Sequence, residues 1–144
     1  MQNGISISKI WSDDDLVELR IIVSDQASSF CNTAYVGRGH LAKLASQLSA
    51  FRDQIHGGIE DIRLGEFGPE YAKGALQVRM HFRSPGKLYV STHQQSEFKE
   101  FSVGDVAAEA RMYMLSEPVL LDKFIRELKG VADGSHGVAT LECT

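Results

Sequence analysis

Twice in this chain a short strand-like run leads into an amphipathic helix, and the two occurrences match position for position. Thr33, Ala34, Tyr35 and Val36 precede apolar residues at Leu41, Leu44, Ala45, Leu48 and Phe51. Arg111, Met112, Tyr113 and Met114 precede Leu121, Phe124, Ile125, Leu128 and Val131. A displacement of 80 positions, Leu41 onto Leu121, carries every apolar residue of the first set onto one of the second. Steps of three and four residues give each helix a single apolar stripe, and a stripe of that kind needs a core to face. The matched spacing predicts two strand–helix units related by approximate pseudo-symmetry, with the helices side by side on one sheet face.

Between these units the chain alternates as strands do. Leu16 to Ser24 places Val17, Leu19, Ile21 and Val23 on one face. Ala75 to Arg83 places Leu76, Val78, Met80 and Phe82 on one face and Gln77, Arg79, His81 and Arg83 on the other. Ser84, Pro85 and Gly86 then turn the chain into a return strand, Lys87 to His93. Further strands are expected at Ile5–Trp11, Phe30–Val36, Ile59–Phe67 and Val106–Leu115. Val138–Leu141 reads as either a last short strand or a frayed tail, and Gln94–Gly104 as a polar loop. The helices are expected over about His40–Gln54 and Glu117–Ala132, the second with Ser116 as N-cap and Pro118 in its first turn. Strands and helices do not alternate one for one, which favours antiparallel over parallel pairing. The expected fold is α+β: a curved antiparallel sheet of six or seven strands with two amphipathic helices packed on one face, forming a single domain over residues 1–144.

At 144 residues the chain can bury a core without staples. Its net charge of −4 disfavours nonspecific nucleic-acid binding, which depends on neutralising phosphates. No apolar run approaches the ~20 residues of a membrane helix, and Met1 to Ile10 lacks a secretory pattern. Cys31 and Cys143 stand far apart in no metal-binding spacing, which points to reduced thiols and the cytoplasm.

Candidate chemistry is sparse. If Ser84–Gly86 closes the hairpin, His81 pairs with Tyr89 and Gln77 with His93. That separates His81 and His93 by about 13 Å along the strands, too far to share an ion. Asp13, Asp14 and Asp15 lack the alternating ligands and central glycine of a calcium loop and read as a solvated turn. Glu60, Asp61, Glu66 and Glu70 form a second acidic stretch that nothing gathers into a pocket. Gly37-Arg38-Gly39 precedes a helix without phosphate-loop spacing and reads as a strand-to-helix turn. No Gly-x-Ser-x-Gly elbow is present. Cys31 is expected as a small buried residue, and Met80, Met112 and Met114 as core. No catalytic residue, metal or cofactor is assigned.

One constellation remains. Arg79, His81, Arg83, Lys87, Tyr89 and His93 lie opposite the apolar side of the central strands, with Arg111 and Tyr113 on the matching face of the next. A face of this kind suits an acidic protein or another anion, whereas its lack of outward Phe or Trp weakens an RNA-stacking role. The bland alternative is an ordinary solvated sheet face. The binding residues assigned are Arg79, His81, Arg83, Tyr89, Arg111 and Tyr113.

The succession Trp11, Asp13, Glu18-Leu19, Tyr35-Val36, the Leu41/Leu44/Leu48/Phe51 helix, Leu64-Gly65 and Leu76-Val78-Arg79 resembles a group of small uncharacterised bacterial α+β proteins, some of them suspected immunity proteins of toxin systems. The resemblance implies a bacterial cytoplasmic protein and transfers no site residue. Together these readings point to a non-enzymatic binding protein with a protein partner, of immunity type. Two alternatives stand beside it: a small-ligand domain with its pocket between helices and sheet, and an enzyme whose sparse site is assembled from distant residues. Oligomeric state is left open.

Overall fold

A computed structural model describes residues 3–144. Its strands are β1 (Gly4–Ser12), β2 (Leu16–Ser24), β3 (Ser29–Gly37), β4 (Ile59–Gly65), β5 (Ala75–Ser84), β6 (Lys87–Gln95), β7 (Lys99–Phe101), β8 (Gly104–Val106), β9 (Glu109–Ser116) and β10 (Val138–Glu142). The helices are α1 (His40–Arg52) and α2 (Pro118–Asp133). The fold is α+β and its strand pairings are antiparallel, but the expected single sheet of six or seven strands is not what forms. Instead there are two four-stranded sheets, ordered β10-β1-β2-β3 and β4-β5-β6-β9, and a separate small hairpin of β7 and β8.

The connections explain the split. β1, β2 and β3 follow one another as a meander, β4, β5, β6 and β9 do the same around the inserted β7–β8 hairpin, and a helix leaves the last strand of each run. The strand after that helix joins the edge of the other sheet: α1 leads to β4 and α2 leads to β10. The crossover keeps β3 and β4 from closing a hairpin, because two-residue turns join only direct neighbours. The sheets still meet at two seams. At one, the Gly74 N–H donates to the Thr33 carbonyl (2.8 Å), and the Asn32 side-chain amide donates to the Gln95 and Ala75 carbonyls (2.7 and 3.3 Å). A Cβ on Gly74 would overlap both Asn32 and the Gln95 carbonyl, so the residue there must be glycine. At the other seam, Leu115 and Thr144 exchange backbone hydrogen bonds of 3.1 and 2.8 Å.

Both apolar stripes are buried in full: Leu41, Leu44, Ala45, Leu48 and Phe51 on α1, and Leu121, Phe124, Ile125, Leu128 and Val131 on α2. They join Val17, Leu19, Val78, Met80, Met112 and Met114 in one continuous apolar cluster. Phe51 stacks on Phe82 of β5, ring centres 4.8 Å apart. Arg52 at the end of α1 reaches Asp122 of α2 (2.7 Å), and Lys123 of α2 reaches Glu142 of β10 (2.8 Å).

Local expectations fail at particular residues. Ser116 does not cap α2; Glu117 holds that position, and the Ser116 hydroxyl instead donates to the Glu142 carbonyl across the seam. Pro118 does sit in the first turn. Cys31 is exposed and Cys143 buried, because strand alternation turns Asn32, Ala34 and Val36 inward and Cys31 outward. Val138–Glu142 is a paired strand, and β7 and β8 occupy part of the stretch read as loop and strand. The acidic turn is a turn: the Asp13 carboxylate accepts the Asp15 and Leu16 N–H groups at 2.8 Å. Those bonds, assisted by nearby Arg38, hold its carboxyl below the usual range.

The helix faces generate a stability prediction. Leu48 and Phe124 are essentially without solvent contact, so Leu48→Ala or Phe124→Ala is expected to cost about 2–5 kcal/mol. Chemical denaturation checks this, and a change within about half a kcal/mol of wild type would contradict the packing described.

Candidate binding face

The outward side of the second sheet can be read off its registers. Four rows cross the strands from β4 to β9: Ile59–His81–Tyr89–Leu115, Asp61–Arg79–Ser91–Tyr113, Arg63–Gln77–His93–Arg111, and Gly65–Ala75–Gln95–Glu109. Pairing of His81 with Tyr89 and of Gln77 with His93 is as the turn predicts. The turn itself is tighter: Ser84 pairs with Lys87 around Pro85-Gly86, and an irregularity before Ser84 absorbs the extra residue. Gly86 takes φ +81°, a conformation that a side chain disfavours.

All six assigned residues belong to this sheet, and the strands bring five of them onto three adjoining rows or their continuation. Arg79 and Tyr113 flank the small Ser91 in one row, His81 and Tyr89 are neighbours in the next, and Arg111 ends the third. Arg83 lies beyond the paired rows, exposed near the turn. Tyr113 is 71% exposed. Ser91 lets the centre dip into an open groove of about 340 Å³, walled by Arg79, His93, Arg111 and Tyr113. Towards the turn the face becomes apolar, with exposed Ile59 and Leu115 beside the tyrosines.

The charges are partly spoken for. Arg79 grips Asp61 through two hydrogen bonds (2.8 and 3.0 Å), which hold the Asp61 carboxyl below the ordinary range and raise the guanidinium. His93 meets Glu109 at 2.8 Å. Arg111 has no ion pair among the described residues. Arg63 meets Glu66 at 3.6 Å, and Arg63, Arg79, Arg83, Lys87 and Arg111 outnumber Asp61, Glu66 and Glu109 on this face of a chain whose net charge is −4.

One aromatic on the face escapes sequence reasoning. Phe67 lies after β4 and folds back to stack on His93, ring centres 4.7 Å apart, with the Arg63 guanidinium 5.6 Å from its own ring. The strand expected over Ile59–Phe67 stops at Gly65, and the stack joins residues distant in sequence, so the face carries a phenylalanine that the sequence reading left off it. The β7–β8 hairpin is a second such feature: Phe101, Val103 and Val106 are exposed at its tip and flank. Gln94, also unforeseen, is buried; its amide donates to Thr92 Oγ1 (2.9 Å) while its carbonyl oxygen finds no partner among the described residues.

Between helices and sheet the cavity measures only about 90 Å³, at the ends of α1 and α2 beside Val17 and Lys9. Small-molecule sites usually span ~300–1,000 Å³. No group of three His, Cys, Asp or Glu side chains converges as metal ligands do among the described residues. No described helix is long and apolar enough to cross a membrane. No family model, curated protein or solved structure matches the chain.

The thiols offer a check on the placement of the strands. Burial pushes the Cys143 thiol up to about 12, while Cys31 is exposed on the first sheet. Ellman's reagent is expected to modify Cys31 rapidly in the native protein and Cys143 only after denaturation. Equal native reactivity at both positions would contradict the alternation assigned to β3 and the C-terminal segment.

Proposed function

We propose that this protein is a non-enzymatic binding module, a bacterial immunity-type protein of the cytoplasm that recognises an acidic protein partner through the outward face of its second sheet. The observation that carries the reading is a sheet face joining exposed Tyr113 and half-buried Tyr89 to a surplus of arginine and lysine. Tyrosine and arginine dominate binding hot spots because each combines a broad contact area with directed hydrogen bonds. A locally basic face on an acidic chain also steers an acidic partner towards itself. The bacterial and immunity-type parts of the reading rest on the sequence resemblance alone. The small space between helices and sheet supports surface recognition over a small-ligand pocket.

The test begins with affinity capture from cells of the source organism and identification of the retained protein. The purified partner is then titrated against wild type and against the Arg79→Ala/Tyr113→Ala double variant. Both side chains leave the core, so the variant is expected to keep its melting temperature and to bind more than about tenfold more weakly. Equal affinities would remove the face from consideration.

A further inference from the structure

A sheet edge is a row of unpaired peptide groups that invites another strand, and folded proteins block such edges. Of the four outer edges of its two four-stranded sheets, three carry blocking contacts at mid-strand, although on β3 only Thr33 is covered and the peptide groups of Cys31 and Tyr35 on either side find no partner among the described residues. On β4, whose odd-numbered residues face away from β5, the Asp61 and Arg63 carbonyls accept from Gln47 Nε2 (3.1 Å) and His40 Nε2 (2.9 Å) of α1. On β10, the Thr140 N–H donates to Glu127 Oε1 of α2 (3.0 Å), Ser116 covers the Glu142 carbonyl, and Thr144 pairs with Leu115. At the middle of β3, the Thr33 carbonyl accepts from Gly74 and its N–H donates to Asn32 Oδ1 (3.0 Å).

The β9 edge is different. In an antiparallel ladder successive residues point their peptide groups alternately to one neighbour and the other. Leu115 directs both its groups away from β6, to Thr144. Tyr113, Arg111 and Glu109 therefore also face away from β6, and no hydrogen bond to their peptide groups is found among the described residues. The open stretch is bounded by Thr144 at one end and by the connection to the β7–β8 hairpin at the other. Its five residues, Glu109–Tyr113, span about 17 Å.

We propose that the open edge of β9 accepts an extended acidic segment of a partner protein as a fifth strand of the second sheet. The inference rests on the reading of this sheet's outward face as the docking surface, and it names the mode of docking. Main-chain hydrogen bonds to Arg111 and Tyr113 supply affinity, and alternate side chains of the added strand fall beside those same residues on the outward face. Charge selects the occupant. A second copy pairing antiparallel about Arg111 would set the two arginines opposite each other; pairing about Ala110 would set Arg111 opposite Glu109 instead, but either register lays two basic faces side by side, which disfavours self-pairing. An acidic strand meets the unpaired Arg111 instead.

The probe is a capped synthetic peptide of alternating Glu and Val, with an alternating Lys and Val peptide as control. Saturating Glu–Val peptide is expected to slow amide exchange of Arg111 and Tyr113 by about tenfold or more, read by NMR, with no effect from the control. Arg111→Ala keeps the edge N–H and should weaken peptide binding only in part. Arg111→Pro removes that N–H without touching the β6 ladder and should abolish binding. Unchanged exchange at both amides would overturn the inference, as would equal effects of the alanine and proline variants. A dimer with both amides already protected without peptide would assign the edge to a second copy and overturn it too. If Arg111→Pro does not fold, the wild-type exchange result decides. None of these outcomes touches the titration with the identified partner, so the broader reading of the face fails or stands separately.

Discussion

Everything in this fold depends on one long-range pairing, that of β10 with β1. A four-stranded sheet with one amphipathic helix has a face to bury and edges to satisfy. Here each helix carries the chain out of its own sheet and into an edge strand of the other, β4 through α1 and β10 through α2. The second sheet, β4 to β9, is contiguous in sequence, whereas the first lacks its fourth strand until the chain has passed through the second and returned. The single apolar cluster follows from this interlock, since both helices and both sheets turn their apolar faces to the same interior. The helices do a second job at the same time. His40 and Gln47 of α1, and Glu127 of α2, satisfy peptide groups on the very edge strands that their helices lead into. Burial of the stripe and closure of the edge are thus coupled, and loss of one helix would expose both.

The asymmetry of edge protection matters more than the edges themselves. At the C-terminal seam, Ser116, Glu142 and Thr144 close the near end of β9 against β10. Beyond Leu115 the two strands part, and the peptide groups of Arg111 and Tyr113 meet no partner among the described residues. Neither proline nor lysine, the common guards of an exposed edge, occurs in β9. The same two residues supply the arginine and tyrosine of the outward face, so the open backbone and the assigned side chains coincide.

Much of the layout was legible in the sequence because it is local. The stripes of α1 and α2 are periodic, β2 begins and ends where its alternation does, and the turn residues place the hairpin, although the register that pairs His81 with Tyr89 is reached by a two-residue turn plus an irregularity before Ser84 and not by the three-residue loop read from the sequence. The failures share a cause of the opposite kind. Asn32 is buried because two carbonyls more than forty residues away accept from its amide, and its burial is what turns Cys31 outward. Ser116 has the composition of an N-cap, yet its hydroxyl is engaged by Glu142. The division into two sheets depends on pairing β10 with β1, the two ends of the chain, and no local pattern encodes that. At the candidate face, strand parity placed Arg79, His81, Tyr89, Arg111 and Tyr113 on one side, while the Phe67–His93 stack and the Arg79–Asp61 pair arise from neighbours that parity does not identify.

The two sheets solve the same packing problem inward and differ outward, and the difference separates what folding requires from what it leaves open. The outer side of the first sheet mixes small hydroxyl residues with larger ones: Ser6, Ser8, Ser29, Thr33 and Thr140 stand beside Glu18, Arg20, Ile22 and Tyr35, with Ser6 bonding Thr140 (3.2 Å) and Ser24 bonding Ser29 (3.0 Å) across neighbours. Arginine and tyrosine occur there singly, as Arg20 and as Tyr35, whose ring meets Trp11 edge-on with centres 6.3 Å apart. The second sheet carries more of each, concentrated on β5, β6 and β9 and running up to the open edge. Cross-strand pairing accounts for Arg79 through Asp61 and for His93 through Glu109. It does not account for Arg111, which has no ion pair, or for Tyr113, which leaves most of its ring in solvent. Both lie on the open edge itself, and they are the two that a partner strand would meet first.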